Sequence, residues 1–233
     1  MKVLKLFKSK SLLFALILIS GMGYFINGCT HEDDLLMVST PKIERGNLVL
    51  KFPSDPSVAF DKTHGNVGWE TPYLGGLSVL TGRFNKFGFT SFNFDESNPA
   101  NTSFEAWVQV NSVNTSEPGR DGGCLQTTFG TTTTMTTETA NMAIIKSKSV
   151  ELSPSDKGYI VKFDLTFHGA TKELTGKLTF SGEVSTGSDA TAQDNYGFNF
   201  EFQFLAKTDF GIASNDIADN ITVKCNAIFR QKK

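Results

Sequence analysis

The chain has little that would hold it together apart from a hydrophobic core. Three cysteines in 233 residues are too few for a disulfide-stapled miniprotein, and seven prolines exclude a collagen-like chain. Only 20% of the residues are charged, and no stripe of lysine and arginine lies beyond residue 28, which argues against nucleic-acid binding. With 39% hydrophobic residues, among them 21 phenylalanines, the sequence predicts one ordinary globular domain or at most two small ones.

The sequence also lacks the common motifs of catalysis and metal binding. Its three histidines, His31, His64 and His168, stand in no metal-ligand spacing such as H-x-x-x-H. There is no G-x-S-x-G motif, no phosphate-binding loop and no pair of carboxylates at a spacing that suggests acid–base catalysis. We therefore expect a protein that is not an enzyme and that uses no metal or cofactor.

Residues 1–28 have the layout of a secretory signal peptide. Four lysines and no acid precede the apolar run Leu12–Ile19, and the segment ends in Ile-Asn-Gly before Cys29. This ending resembles the bacterial lipobox, which implies cleavage before Cys29 and acylation of that cysteine. Several acyl chains give a stable membrane anchor where one gives only marginal binding. The alternative is an ordinary signal peptide whose cleavage site lies near a cysteine.

Removal of this leader makes the protein acidic. The leader carries four of the 22 Lys and Arg and none of the 24 acids, so the rest has a formal net charge of −6. We expect residues 29–44 to form a lipidated flexible tether and residues 45–233 the folded domain. The acidic segment Thr30–Asp34 either resembles an export signal for the outer membrane or is a solvated tether. The expected location is the bacterial cell envelope, lipid-anchored at the outer membrane, on its periplasmic or its surface-exposed face.

Alternation of apolar and polar residues predicts an all-β domain. Over Val161–His168 the odd positions are apolar and the even positions polar, which is typical of a half-buried strand. The same period of two recurs at Leu174–Phe180, Phe198–Phe204 and Ile221–Phe229. Four earlier segments rich in β-branched or aromatic residues fit the same plan: Leu48–Phe52, His64–Trp69, Phe84–Phe94 and Phe104–Val110.

Antiparallel strands with one apolar face each must bury those faces on one another, as a closed barrel or a sandwich. The apolar phase slips between Phe89 and Phe92, which predicts a bulge or a bend there. Pro72–Thr81 is expected to be a short helix or a wide loop, Thr127–Thr139 a Thr-rich connection, and Ser185–Asn195 a polar loop.

Seven short motifs occur in one order over most of the predicted domain. They are Asp61–His64, Thr81–Phe87, Asn111–Thr115, Gly119–Asp121 with Leu125 and Phe129, Ile145–Val150, Leu165–Lys172 and Lys207–Ile212. Together they resemble the YceI-like family of polyisoprenoid-binding, lipocalin-like barrels. Two places depart from the family's pattern. Lys207 stands where arginine is usual, which loses the planar fork that binds a phosphate or carboxylate, and Gly122-Gly123-Cys124 replaces a short polar link.

The resemblance implies a single antiparallel, lipocalin-like β-barrel of about eight strands with at most short helices. Its hydrophobic tunnel would hold an isoprenoid or a similar long-chain amphiphile for transport, storage or sequestration. Inward side chains of three strands are expected to line the tunnel: Phe163, Leu165, Phe167, Leu178, Phe180, Phe200, Phe202 and Phe204. Four polar residues are candidates for recognising a head group near the mouth: Arg120, Asp121, Lys207 and Asp209. For Asp121 and Asp209 the alternative is an ion pair or turn that fixes a loop.

An eight-stranded barrel is just wide enough either to fill itself with side chains or to hold one small ligand. A solid barrel would instead make this a structural or interaction lipoprotein that recognises a protein or a glycan through its loops. A large cavity would favour the carrier, and an exposed aromatic patch around Trp69–Tyr73 the interaction protein. The sequence leaves the oligomeric state open.

Two cysteines remain in the predicted domain, Cys124 and Cys225, and disulfides persist outside the cytoplasm. A bond between them would close a loop of about 100 residues and contribute up to roughly 4.7 kcal/mol in the chain-entropy description. Pairing requires the loop that carries Cys124 to fold over the barrel, because Cys225 lies on the inward phase of its strand.

Overall fold

The computed structural model describes residues 46–127, 129, 141–213 and 218–233. The strands are β1 (Val49–Phe52), β2 (Val58–Phe60), β3 (Asn66–Tyr73), β4 (Ser78–Phe84), β5 (Phe87–Asp95), β6 (Ser103–Gln109), β7 (Val113–Asn114), β8 (Met142–Leu152), β9 (Tyr159–Phe167), β10 (Ala170–Thr186), β11 (Gln193–Leu205) and β12 (Asn220–Lys232). Two α-helices, α1 (Pro118–Thr127) and α2 (Ala206–Phe210), lie in the connections. Single 3-10 turns occur at Leu74–Gly76, Pro99–Asn101, Val110–Ser112 and Asp189–Thr191. Neither helix, within the described ranges, has the length and hydropathy to cross a membrane.

All twelve strands belong to one antiparallel sheet. Its order is β1-β5-β6-β8-β9-β10-β11-β12-β3-β4-β7, and β2 adds to β12. The sheet curls until its two sides meet, because Phe60 of β2 contacts Phe87 and Phe89 of β5, with ring centroids 6.1 Å and 5.0 Å apart. The all-β, lipocalin-like fold predicted from the sequence is confirmed. The strand count exceeds eight because β1, β2 and β7 are only two to four residues long.

Local predictions met with mixed success. The bulge is confirmed, because the register of β5 against β6 shifts between Phe89 and Ser91. The short helix predicted within Pro72–Thr81 is present as the single 3-10 turn Leu74–Gly76, but it joins two strands directly and no wide loop surrounds it. That segment forms most of the β3–β4 hairpin, whose tight turn is possible because Gly75 and Gly76 adopt φ of 67° and 91°.

The sequence also predicts two connections between strands. The polar loop at Ser185–Asn195 is shorter than predicted, since β10 continues to Thr186 and β11 begins at Gln193. The Thr-rich connection Thr127–Thr139 lies almost wholly outside the described residues. Helix α1 was not predicted, because its sequence contains Pro118 and three glycines, which are poor helix formers.

Phenylalanine rings fill the inner face of the curled sheet. Along β9 every second residue is buried, and the same holds along β11 from Tyr196 to Phe204. Phe92, Phe94, Phe198 and Phe229, here called the aromatic cluster, meet at one end of the barrel. Phe92 stacks on Phe229 at 4.3 Å and contacts Phe198 edge-on at 4.9 Å. Such ring pairs add to the energy of apolar burial. The aromatic cluster therefore closes this end of the interior.

Two glycines make room for large rings on the inner face. Gly82 is paired with Trp69, and a Cβ on Gly82 would lie 2.6 Å from the indole. Gly176 lies beside Phe200, whose ring would be 2.7 Å from a Cβ at that position. Both distances are below any real carbon contact, so the two rings occupy space that only glycine leaves open.

A buried carboxylate fastens β2 to β12. Asp61 is 7% exposed and accepts hydrogen bonds from the Thr63 and His64 backbone, from His64 Nδ1 and from Arg230 Nη2. Burial works to raise the pKa of Asp61, but the hydrogen bonds from His64 and Arg230 prevail and lower it. The group thus holds the end of β2, and with it Phe60, against β12.

The folded part of the chain has a core of its own. Every side chain of the hydrophobic core lies between Leu48 and Phe229, and Pro41–Lys233 forms one compact unit. Because a domain with its own core folds independently, the fragment Pro41–Lys233 serves in the experiments below.

The glycine positions yield the first prediction. Replacing Gly176 by alanine should lower the free energy of unfolding by about 1–3 kcal/mol, because the added methyl overpacks Phe200. Urea denaturation of Pro41–Lys233 measures the change. Gly122→Ala is the matched control, since a Cβ at Gly122 meets nothing within 4 Å. Equal stability of the two variants would contradict this account of the inner face.

The Asp61 contacts yield a pH-dependent prediction. A lowered pKa in the folded state stabilises the protein above about pH 4, and this stabilisation is lost as the pH falls through the folded-state pKa. Asp61→Asn should therefore cost about 1–3 kcal/mol near neutral pH and progressively less in acid. Denaturation curves across this range test it. Asp156→Asn, which removes a fully exposed partner of Lys177, should change stability much less.

Candidate functional site

The inner face of the sheet does not fill its interior. A cavity of about 990 Å³ lies inside the barrel, its opening to solvent included. Side chains from β3 to β6 and from β8 to β12 form its wall, and Phe92 and Phe198 of the aromatic cluster border it. The interior is therefore hollow in part, with the aromatic cluster packed behind it.

Six of the eight predicted tunnel residues lie in the cavity wall. These are Leu165, Phe167, Leu178, Phe200, Phe202 and Phe204. Phe163 is fully buried behind the wall, where its ring packs 5.3 Å from Phe200 and 5.0 Å from Phe202. Phe180 packs against Phe94 and Phe198 and borders no cavity space. That these eight residues touch a ligand stays a prediction.

Most of the wall comes from strands that were not assigned to the tunnel. Among the residues they contribute are Trp69, Phe84, Phe89, Phe104, Ile145 and Val223. On β5 and β6 the alternation was visible as Phe87, Phe89 and Phe92, but the bulge after Phe89 obscured its phase. The alternation predicts an inward position for Val223, and only the closure of the sheet shows that β12 contributes to the cavity wall.

Arg120 and Asp121 fasten the start of α1 to the end of β7. Arg120 Nη2 donates to the Thr115 carbonyl oxygen at 2.7 Å, and its side chain is exposed. The Thr115 amide and hydroxyl donate to Asp121 Oδ1 at 2.8 Å and 2.6 Å. Neither residue belongs to the cavity wall. For Asp121 the contacts agree with the loop-fixing alternative, and a head-group role stays a prediction.

Lys207 and Asp209 lie in α2, in the connection between β11 and β12. The Lys207 backbone amide donates to Asp219 Oδ1 at 2.6 Å, and Asp209 Oδ1 lies 3.9 Å from Lys172 Nζ. These contacts fasten α2 to its neighbours, outside the cavity wall. Among the described residues no group of three His, Cys, Asp or Glu is placed to hold a metal ion.

The two domain cysteines lie in different surroundings. Cys124 is buried in α1, whereas Cys225 lies on β12 in the cavity wall. Burial raises the pKa of the Cys225 thiol to about 12. The structure has both residues as thiols, so it does not include the disulfide considered above.

Comparison with known proteins agrees with the fold and the motifs. The sequence pattern of the YceI-like domain matches residues 59–229, which span nearly all of the described strands. The chain belongs to the YceI-like family. A UPF0312 protein of Pseudomonas fluorescens SBW25 is 29% identical over 178 residues, 76% of this chain and 84% of the relative. A UPF0312 protein of Pseudomonas putida F1 is 32% identical over 149 residues, 64% of this chain and 71% of the relative.

Solved structures share the YceI-like fold at low sequence identity. Burkholderia cenocepacia BcnA superposes with a TM-score of 0.56 at 16% identity, over 73% of this chain and 99% of BcnA. The Campylobacter jejuni YceI protein gives a TM-score of 0.53 at 17% identity, over 67% of this chain and 88% of that protein. At these identities the likeness shows the fold alone.

The cysteine environments predict slow alkylation of the folded domain. With its raised pKa, Cys225 carries almost no thiolate at mildly alkaline pH, so iodoacetamide should modify it at least about 100-fold more slowly than an ordinary thiol. Mass spectrometry of Pro41–Lys233 before and after unfolding in guanidinium measures this. Without reductant, the unfolded domain should gain two adducts. Unfolded protein that takes up none would show a disulfide between Cys124 and Cys225, and rapid modification of folded Cys225 would contradict its raised pKa.

Proposed function

We propose that the barrel binds one long apolar chain, the tail of an isoprenoid or a similar amphiphile, and that the protein transports, stores or sequesters it. The observation that carries the proposal is the apolar lining of the cavity inside a YceI-like barrel, a space of about 990 Å³ when the solvent at its opening is included. Each methylene group moved from water into such a wall contributes about 0.8 kcal/mol. A chain of a dozen or more carbons therefore gains enough to offset the cost of its ordering.

The chemistry of the wall supports an apolar ligand. Among the wall residues the amide side chains are those of Asn199 and Asn226, and both residues are exposed on the outside of the sheet. The remaining wall is formed by glycine, Cys225, aliphatic side chains and aromatic side chains, which include the two tryptophans. Among the buried polar side-chain atoms of the wall, the Trp69 indole N–H has no hydrogen-bond partner. A ligand with several polar groups would leave most of them without hydrogen bonds there, at a cost of several kcal/mol. An apolar chain has no such groups.

The barrel would select its ligand by the apolar tail more than by the head group. The four polar candidates Arg120, Asp121, Lys207 and Asp209 lie outside the wall, and three of them have side chains engaged by Thr115 or Lys172. Lys207 supplies a single charge without the planar fork of arginine. An amphiphile would therefore keep its polar end in water, where it needs no protein partner.

We also propose that the protein is a lipoprotein of the cell envelope. The signal-peptide layout of residues 1–28 and the lipobox-like ending before Cys29 support this. Acylated Cys29, the first residue of the tether 29–44, would hold the barrel beside the membrane, outside the cytoplasm. A binding role without catalysis agrees with the YceI-like fold, which is a fold of binding proteins.

The rival, a solid barrel that recognises a protein or glycan, has less support. It required an exposed aromatic patch around Trp69–Tyr73. Instead, Trp69 is 3% exposed, its ring lies on the cavity side, and it contacts Phe129 edge-on at 5.1 Å. Tyr73 is half-buried.

Native mass spectrometry of Pro41–Lys233 tests the proposal. The domain purified without detergent should carry one apolar adduct, and after organic extraction it should bind added geranylgeraniol one to one. Ala106→Leu puts three more carbons into the cavity wall and should weaken binding roughly 10-fold, the effect of about 1.4 kcal/mol. Ala59→Leu, on the exposed side of β2, should bind like the unaltered domain.

Two outcomes would contradict the proposal. One is a domain that purifies without an adduct and whose mass stays unshifted when geranylgeraniol is added. The other is equal binding by the Ala106→Leu and Ala59→Leu variants, which would place the ligand outside the barrel. A circular dichroism spectrum of each variant confirms that it has folded.

A further inference from the structure

The β3–β4 hairpin extends past the strands beside it. β12 pairs with β3 only as far as Glu70, and β7 pairs with β4 only at Arg83 and Phe84. Between these points the two arms pair with each other, up to Tyr73 opposite Ser78. The Ala218 amide donates a hydrogen bond to the Pro72 carbonyl oxygen, and the Thr71 hydroxyl donates one to the Asn220 carbonyl oxygen. These two hydrogen bonds hold the base of the hairpin. We call residues 71–82 the β3–β4 ribbon.

The β3–β4 ribbon is apolar although it is exposed. Leu77 is 89% exposed, Val79 59% and Leu74 55%, more than any other large apolar side chain among the described residues. No Asp, Glu, Lys or Arg occurs from Thr71 to Gly82. Contiguous exposed apolar side chains on a soluble domain mark a surface that binds a partner or a membrane.

The same two strands also form part of the cavity wall. Trp69 on β3 and Phe84 on β4 border the cavity, and both contact Phe129 with ring centroids 5.1 Å and 5.3 Å away. At about 3.3 Å per residue, the tip at Leu74 lies some 17 Å along β3 from Trp69. The ribbon is therefore continuous with the proposed binding site.

The chain ahead of the domain is long enough to bring the ribbon to a bilayer. Cys29 precedes Gly46, the first described residue of the domain, by 17 positions. Fully extended, that segment spans up to about 60 Å, which exceeds the width of a domain of this size. A lipid anchor at Cys29 would thus leave the ribbon free to face the membrane that holds the anchor.

We infer that the β3–β4 ribbon inserts its tip into the surface of a lipid bilayer, where the apolar chain passes between bilayer and cavity. The inference rests on the proposed function. A second copy of the protein fits the ribbon less well. Three side chains on a two-stranded ribbon can bury far less surface than the roughly 800 Å² per partner of a stable interface. Leucine with a neighbouring tyrosine and no charge suits the boundary between lipid and water.

Vesicle binding tests the insertion. Pro41–Lys233 should co-sediment with vesicles of phosphatidylcholine, and adding phosphatidylglycerol should change this little, because the ribbon has no charge. Leu77→Asp and Val79→Asp should each reduce binding at least about 10-fold, since a charge at the tip must stay in water. Leu152→Asp is the matched control, because Leu152 is 46% exposed on β8, outside the ribbon. It should bind like the unaltered domain.

Transfer kinetics separate this inference from the proposed function. Leu77→Asp should slow the movement of a fluorescent isoprenoid alcohol from vesicles to the domain at least about 10-fold. Its equilibrium affinity for geranylgeraniol in solution, measured by native mass spectrometry, should stay unchanged, because Leu77 lies outside the cavity wall.

Three results would overturn the inference. They are vesicle binding that Leu77→Asp leaves intact, an equal loss in Leu152→Asp, and a dimer of the unaltered domain that Leu77→Asp converts to a monomer. If any of these occurs while geranylgeraniol still binds one to one, the carrier function stands and only the membrane contact fails. Loss of geranylgeraniol binding in the unaltered domain would instead refute the proposed function.

Discussion

The structure depends on burying one phenylalanine-rich face of a single antiparallel sheet against itself. Only curling brings the two sides of such a face together, because there are no helices large enough in the described residues to cover it. Phe92 of β5 then stacks on Phe229 of β12 at 4.3 Å, although the two strands are not hydrogen-bonded neighbours. Gly82 and Gly176 make this packing possible, since the absence of a side chain leaves the space that Trp69 and Phe200 occupy.

The cavity follows from the shape of the side chains that the curled sheet must enclose. Phenylalanine rings are rigid and meet edge to face, as Phe163 does with Phe202 and Phe167 with Phe204. Rings held on a curved wall at such angles fill the end of the barrel where the aromatic cluster lies. They leave the rest of the interior partly hollow. The Asp61 contacts keep Phe60 over the line where the sheet meets itself. An interior both hollow and apolar is what an isoprenoid-like chain requires.

The sequence predicted best those parts whose pattern is local. The alternation along β9, β10 and β11 predicts six wall residues, and the seven motifs indicate the family. Wall residues such as Trp69 and Phe104 were missed, because their role depends on which strands face each other across the barrel. For Pro72–Thr81 the short helix is present as the turn Leu74–Gly76, but the paired arms of the β3–β4 hairpin were missed, since Gly75-Gly76 is compatible with a wide loop as well as with a tight turn. The loop-fixing contacts of Asp121 depend on where α1 packs, which no spacing reveals.

The central claim is that an apolar chain lies inside the barrel, and anomalous diffraction tests it most directly. Crystals of Pro41–Lys233 grown with a fatty alcohol brominated at its far end should show a bromine peak within the cavity, between Trp69 and the aromatic cluster. The surrounding rings should keep the positions described above. A bromine peak only on the outer surface, with Phe200 and Phe202 shifted to fill the interior, would contradict the account.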